Sequence, residues 1–123
     1  MTSAFDLGGR VIVLTGAAGL LGSRFARALA RHGANLALLD SNARGLETVV
    51  SEIKSQSSST VLCLEVDITD ESQVVDASRE VQEKLGSVYG LINNAARNPA
   101  VSVSGLEAGT RLEVFSRNEW DQD

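Results

Sequence analysis

The sequence is poor in cysteine, proline and aromatic residues, and it contains no long apolar run. Its 123 residues include one Cys, one Pro, one Trp and one Tyr. The single cysteine, Cys63, excludes a disulfide framework and a Cys-x-x-Cys metal site, and it is typical of a reducing compartment. No segment approaches a membrane span in length, and the N-terminus lacks the features of a signal peptide. These absences predict a cytoplasmic, soluble protein without a metal site.

Basic side chains are also in the minority. Eleven Lys and Arg residues face sixteen Asp and Glu residues, which gives a formal net charge of −5. Because nucleic acids and lipid surfaces are bound through basic faces, we expect neither as a partner. A hydrophobic fraction of 43% and a charged fraction of 22% are typical of a globular protein, and the length suits one small domain.

Four short apolar runs alternate with three amphipathic segments. The runs at 10–14, 35–39, 61–66 and 88–92 predict strands that are buried on both faces. The amphipathic segments predict helices whose apolar faces carry Leu21, Phe25, Ala28 and Leu29; Leu46, Val49, Val50 and Ile53; and Val74, Ala77, Val81 and Leu85. We expect Thr69 to cap the third helix. The order β-α-β-α-β-α-β predicts an α/β fold with a parallel sheet covered on both faces.

The strongest chemical signal lies between the first strand and the first helix. Glycines occupy positions 16, 19 and 22 of Thr15-Gly16-Ala17-Ala18-Gly19-Leu20-Leu21-Gly22. The first permits a sharp turn, the second lets the backbone approach a pyrophosphate, and the third lets helix and strand pack closely. The helix N-terminus then offers free N–H groups to phosphates. No Gly-Lys-Ser/Thr is present, which excludes a P-loop.

Acidic and amide side chains end the other three strands. Asp40 can accept hydrogen bonds from the ribose hydroxyls of NAD and would repel the 2′-phosphate of NADP, or it can cap the next helix. Arg44 lies close enough in sequence to keep NADP open as the cofactor. Asp67 suits a ligand contact or a turn equally well. Asn93 and Asn94 can bridge strands, contact a ligand or form a turn.

Three other side chains with potential chemical reactivity are expected to have structural roles. His32, the only histidine, precedes Gly33 in the last turn of the first helix, where a cation is favoured by the helix dipole. The ring of Tyr89 is expected to pack within the fourth strand. Cys63 lies in the apolar third strand, where a buried and inert thiol is expected.

Together these motifs resemble the short-chain dehydrogenase/reductase superfamily. The resemblance rests on residues 15–22, on Asp40, on Val66-Asp67-Ile68-Thr69 and on Asn93-Asn94-Ala95, and it covers nearly the whole chain. The spacing of the glycines is that of the extended, sugar-nucleotide-modifying branch of the family. The Asn-Asn-Ala segment is instead that of the classical branch.

The resemblance implies a Rossmann-type, doubly wound parallel sheet, present in part and with strand order 3-2-1-4. Residues 1–96 would form the NAD(P)-binding half. Residues 97–123 would continue the same domain as a loop and the start of a further helix near 115–120. The fourth strand, interior in the family, would be an exposed apolar edge here, which predicts a homo-oligomer.

The resemblance also implies NAD as the cofactor, in preference to NADP. Asp67 and Ile68 would flank the adenine, while Asn93 and Ala95 would lie along the cofactor and Asn93 would also stabilise the sheet. The full set of implied cofactor-binding residues is Gly16, Ala18, Gly19, Leu20, Leu21, Gly22, Asp40, Asp67, Ile68, Asn93, Asn94 and Ala95.

The family transfers hydride between NAD(H) and an alcohol or carbonyl substrate by means of a Tyr-x-x-x-Lys pair with a Ser and an Asn before it. Tyr89 is followed at the fourth position by Asn93, so no catalytic residue can be placed in this sequence. We therefore expect cofactor binding without turnover. Residues 97–99 and 115–123 resemble bacterial members linked to modified nonulosonic sugars, which implies a sugar-related substrate.

Two other functions stay open at this point. One is a non-catalytic dinucleotide-binding or sensing module. The other is an S-adenosylmethionine methyltransferase, whose fold shares a glycine-rich turn and an acidic end of the second strand. The Thr-Gly-x-x-Gly-x-x-Gly spacing and the Asn-Asn-Ala segment argue against the methyltransferase.

Overall fold

Strands and helices alternate along the whole of the part of the chain that the computed structural model describes, residues 3–96. The elements are β1 (Val11–Thr15), α1 (Leu20–Arg31), β2 (Asn35–Asp40), α2 (Ala43–Gln56), β3 (Val61–Glu65), α3 (Glu71–Leu85) and β4 (Val88–Ile92). All strand pairs are parallel, and the sheet order is β3-β2-β1-β4. The predicted α/β fold and its strand order 3-2-1-4 are confirmed. The predicted helix start at 115–120 lies outside the described residues.

The sheet lies between two apolar clusters, one on each face. Leu14 and Leu38 belong to the cluster that α1 and α2 cover. Leu39 belongs to the opposite cluster, together with Ala77 and Val81 of α3. Because successive strand residues point to opposite faces, and both faces are covered, the two central strands are apolar at nearly every position.

Helix α1 buries small residues rather than its large apolar ones. Gly22, Ala26 and Ala30 are its buried positions, four residues apart. Leu21 and Phe25 are 58% and 39% exposed. The predicted apolar face of this helix is therefore wrong by about one position. On its buried face the helix therefore carries only a hydrogen atom, at Gly22, or a methyl group, at Ala26 and Ala30.

The cap of α3 is Asp70, and the prediction of Thr69 in this role is wrong. The carboxylate of Asp70 accepts hydrogen bonds from the backbone N–H groups of Ser72 and Gln73. Hydrogen bonds from the Ser72 hydroxyl and from Gln73 lower the pKa of Asp70 below its ordinary value. Thr69 instead donates its hydroxyl to Asp67.

Strand β4 forms one edge of the sheet among residues 3–96, and its outward side chains are exposed. Tyr89 and Leu91 are 61% and 57% exposed. The guanidinium of Arg10 lies over the Tyr89 ring, with its central carbon 4.0 Å from the ring centroid. The ring expected to pack therefore packs only through this cation–π contact at the surface, and it is not buried.

His32 and Cys63, both expected to be structural, differ in burial. His32 is the exposed C-terminal cap of α1. Cys63 is half-buried in β3, and this burial raises the pKa of its thiol. A raised thiol pKa lowers the thiolate fraction, as expected for an unreactive cysteine. None of the helices within residues 3–96 has the length and apolar composition needed to cross a membrane.

Candidate nucleotide-binding site

An open crevice of about 920 Å³ lies at the carboxyl ends of all four strands. This is where ligands bind in open, parallel α/β sheets. Its lining residues are Gly16, Gly19, Leu20, Leu21, Gly22, Leu39, Asp40, Ser41, Val66, Asp67, Ile68, Thr69, Asn94, Ala95 and Ala96.

Every predicted cofactor-binding residue except Ala18 and Asn93 lines this crevice. The lining residues that the sequence analysis missed are Leu39, Ser41, Val66, Thr69 and Ala96. Each of them is the immediate neighbour in sequence of a predicted residue. Their signal in the sequence is this position next to a predicted residue at or just after the end of a strand.

The glycine-rich turn between β1 and α1 has almost no room for side chains. Gly16 has φ +65°, and a Cβ there would lie 2.9 Å from the Cα of Ala95. A Cβ at Gly22 would overlap the carbonyl oxygen of Gly16 and lie 2.8 Å from its carbonyl carbon. Gly19 is exposed and faces the crevice. The first and third glycines therefore shape the turn, and the second leaves the backbone open to the crevice.

The N-terminus of α1 differs from those of the other two helices. The side chain of Asn42 caps α2 and that of Asp70 caps α3. Gly19 occupies the same position in α1, where no side chain caps the helix and no acidic residue lies in the first turn. The first N–H groups of α1 and the positive end of its dipole are thus directed at the crevice, which suits an anion such as a phosphate.

The carboxylate of Asp40 accepts two backbone hydrogen bonds. Its Oδ2 accepts from the N–H of Ala18 at 3.0 Å, and its Oδ1 accepts from the N–H of Asn42 at 2.9 Å. Since Asn42 is the cap of α2, Asp40 is not a helix cap, which was one of its two predicted roles. Ala18 lies in the turn but does not line the crevice, and it contacts Asp40 through this N–H group.

Thr15, at the end of β1, ties the last part of the described chain to the turn. Its Oγ1 accepts from the backbone N–H groups of Asn94 at 3.1 Å and Ala95 at 3.0 Å, and donates to the carbonyl of Ile92. The amide nitrogen of Asn94 donates to the carbonyls of Thr15 and Gly16, at 3.3 Å each.

The stabilising bridge between β1 and the end of β4 is thus made by Asn94. The implied sheet-stabilising role of Asn93 is a misassignment by one residue, since Asn93 is exposed and does not line the crevice. Thr15 was not among the predicted site residues. Its signal was a hydroxyl residue at the end of an otherwise apolar strand.

Asp67 forms a turn at the far side of the crevice. Its Oδ1 accepts from the backbone N–H and the hydroxyl of Thr69, and these two hydrogen bonds lower its pKa. Its own N–H donates to the side chain of Gln73 at 2.8 Å. Ile68 follows, 42% exposed at the crevice. The turn role of Asp67 is therefore present, and its contact with a ligand stays a prediction.

A parallel sheet of order 3-2-1-4, a glycine-rich turn that opens an uncapped helix and an acidic residue at the end of β2 define a Rossmann-type unit. The short chain dehydrogenase family model matches residues 10–121. The chain therefore belongs to the short-chain dehydrogenase family.

Individual relatives agree with this membership. The chain is 34% identical over 119 residues to gluconate 5-dehydrogenase of Gluconobacter oxydans, a match that covers 95% of this chain and 42% of that protein. The structure of NAD⁺-bound xylitol dehydrogenase has a TM-score of 0.71 at 30% identity, over 77% of this chain and 35% of that one. A metagenomic short-chain oxidoreductase in complex with NADP has a TM-score of 0.77 at 25% identity, over 94% and 48%. The chain spans less than half the length of each.

Proposed function

We propose that this chain is the cofactor-binding part of an NAD-dependent oxidoreductase of the short-chain dehydrogenase/reductase type. The observation that carries the proposal is the glycine-rich turn, in which Gly16 and Gly22 are packed against backbone atoms while Gly19 leaves the uncapped N-terminus of α1 open to the crevice. When bound, the nicotinamide ring supplies the hydride acceptor or donor for an alcohol or carbonyl substrate. The residues described here bind and orient that cofactor.

The pyrophosphate is expected at the N-terminus of α1. Gly19 exposes the backbone there, and Leu20 and Leu21 begin the helix with N–H groups that no side chain caps. The dipole of a 12-residue helix adds partial positive charge at the same point. An anion would be bound here by backbone groups alone, which fits the shortage of basic side chains in the crevice lining.

The adenosine half of the cofactor would lie across the ends of β2 and β3. Asp40 retains acceptor capacity beyond its two backbone hydrogen bonds, since an ionised carboxylate accepts about four. It would hold the ribose hydroxyls and repel a 2′-phosphate, which favours NAD over NADP. Asp67 and Ile68 would flank the adenine. On the other side of the turn, Asn94 and Ala95 would lie along the nicotinamide half.

A sugar-related alcohol or carbonyl compound is the proposed substrate class. Gluconate 5-dehydrogenase and xylitol dehydrogenase, by their names, act on polyhydroxylated compounds. Residues 97–99 and 115–123, on which the resemblance to sugar-modifying members rests, lie outside the described residues. The cytoplasmic location is part of the same proposal and is supported by the lone half-buried thiol of Cys63.

A non-catalytic dinucleotide-binding or sensing module is the second candidate. The observation on which it rests is that the described crevice lining and the uncapped N-terminus of α1 would hold a dinucleotide without a contribution from a Tyr-x-x-x-Lys pair. In either case the crevice binds the dinucleotide in the same way. The two candidates differ only in whether the protein converts a substrate.

Titration of the chain with NADH, followed by fluorescence, tests the proposal. We expect saturable binding that NADPH and S-adenosylmethionine displace poorly, because Asp40 repels the 2′-phosphate and the turn is built for a pyrophosphate. Asp40→Ala should raise the Kd for NADH at least about tenfold, because the loss of a single charge-assisted hydrogen bond to the ribose has about that effect. Glu83→Gln, which removes a charge from the exposed face of α3, should leave the Kd unchanged. A folded chain that binds none of the three ligands would refute the assignment.

We further propose that the chain forms homo-oligomers through the edge of β4. Leu91 and Tyr89 expose apolar surface on β4, which is an edge strand within residues 3–96, and β4 itself carries no charged residue to prevent association. Sedimentation velocity is expected to show dimers or larger species. Leu91→Lys should shift the distribution toward monomer, and Val75→Lys, an equal charge change on exposed α3, should do so less. A monodisperse monomer in the unmodified chain would contradict this proposal.

A further inference from the structure

We infer that Asp40 is a positioning residue for the glycine-rich turn, in addition to its proposed contact with the ribose. The inference deepens the proposed function, on which its binding part rests. It starts from the hydrogen bond between the Oδ2 of Asp40 and the N–H of Ala18, which joins the end of β2 to the middle of the turn.

The carboxylate of Asp40 is held at both oxygens. Oδ2 accepts from Ala18 in the turn, and Oδ1 accepts from Asn42 at the start of α2. One carboxylate thus fixes the distance between the phosphate-binding turn and the N-terminus of the next helix. The bond from Ala18 is part-buried, so water competes less for it than for the exposed bond from Asn42.

The contact also has a steric side. A Cβ at Gly45, in the first turn of α2, would lie 2.7 Å from the Cβ of Ala18. The turn therefore rests directly against α2, and the carboxylate of Asp40 closes the same junction through Ala18. The next residue back, Ala17, is held separately, since its N–H donates to the carbonyl of Leu39 at 3.2 Å.

It follows that Asp40 affects phosphate affinity as well as ribose affinity. Without its carboxylate the N–H of Ala18 has lost its acceptor, and the turn is free to sample positions in which the N-terminus of α1 is misaligned with the pyrophosphate. A residue that acted only on the ribose would leave the turn unchanged in the absence of ligand. Removal of the Asp40 carboxylate should therefore change the ligand-free turn, and the affinity for a cofactor without ribose hydroxyls, only if Asp40 positions the turn.

Amide hydrogen exchange of the ligand-free chain, measured by NMR, tests the positioning role without any cofactor. In Asp40→Ala we expect the amide of Ala18 to exchange at least about tenfold faster, while the amide of Ala17 keeps its protection. The neighbouring amide is thus the internal control. Unchanged protection at Ala18 would overturn the inference. An equal loss at both amides would also overturn it, because Asp40 would then support the whole domain rather than the turn.

A binding cycle tests the consequence for the cofactor. The Kd values of native protein and Asp40→Ala are compared for NADH and for its analogue with a 2′,3′-dideoxyadenosine moiety, which offers no ribose hydroxyls to Asp40. We expect Asp40→Ala to weaken binding of the analogue about three- to tenfold, through the turn alone. Equal affinity of the two proteins for the analogue would overturn the inference. If native protein binds neither compound while the exchange result holds, the proposed function fails and the positioning role stands.

Discussion

Gly22→Ala is expected to abolish cofactor binding and to destabilise the fold by about 3 kcal/mol or more, the upper range for overpacking a close contact. The added Cβ would overlap the carbonyl oxygen of Gly16, a backbone atom that cannot move as a flexible side chain can. Either α1 must move away from β1 or the turn must open. A domain of this size has about 5–15 kcal/mol of total stability, so the loss is a large share of it.

Urea unfolding followed by circular dichroism measures this loss, and NADH titration measures the binding. Gly19→Ala is the matched control, since its Cβ would lie 3.3 Å from the carbonyl oxygen of Gly16 with the crevice open beyond it. We expect that variant to stay within about 1 kcal/mol of native stability but to lose affinity, because its methyl group faces the pyrophosphate. A Gly22→Ala protein as stable as the native chain would contradict the close contact between α1 and the glycine-rich turn.

Thr15→Val is expected to destabilise the protein by about 2–4 kcal/mol, although valine has nearly the same shape as threonine. The change leaves the N–H groups of Asn94 and Ala95 without their shared acceptor, in a place where Thr15 is only 8% exposed. Each unsatisfied buried group costs about 1–3 kcal/mol. The loss should appear locally first, as separation of residues 94–96 from the turn.

Thr15→Ser distinguishes the contribution of the hydroxyl to stability from that of the methyl group, because serine keeps only the hydroxyl. Serine retains the acceptor for both N–H groups, so we expect it to recover most of the stability that valine loses. The measurements are urea unfolding for the total and amide exchange at Asn94 and Ala95 for the local part. Equal destabilisation by serine and valine would show that the methyl group, not the hydroxyl, holds this junction.

The elements most completely predicted from the sequence are those whose pattern depends on burial of both sheet faces. The central strands β1 and β2 are continuous apolar runs because clusters cover them on either side. Short connections and right-handed crossovers then restrict the order of the strands. The glycine spacing located the turn, since only glycine fits where Gly16 and Gly22 lie against backbone atoms.

The sequence did not predict those hydrogen bonds whose partners depend on the exact distances between atoms rather than on hydropathy. Asn93 and Asn94 are identical side chains, and only the strand register decides which one reaches the carbonyl of Thr15. Thr69 and Asp70 are both good caps, and the choice between them depends on where the first helical turn closes. In each case two adjacent residues had side chains that suited the role equally well, and only the backbone geometry determines which of them fills it.

The row of small residues on the buried face of α1 has a consequence for how mutations in this helix should be ranked. Gly22, Ala26 and Ala30 are buried, while the large apolar residues Leu21 and Phe25 are partly exposed. A scoring scheme based on hydropathy would therefore rank these five positions in nearly the reverse order of their real tolerance. Polar substitutions at Phe25 should be accepted more readily than an apolar but larger residue, such as leucine, at Ala26.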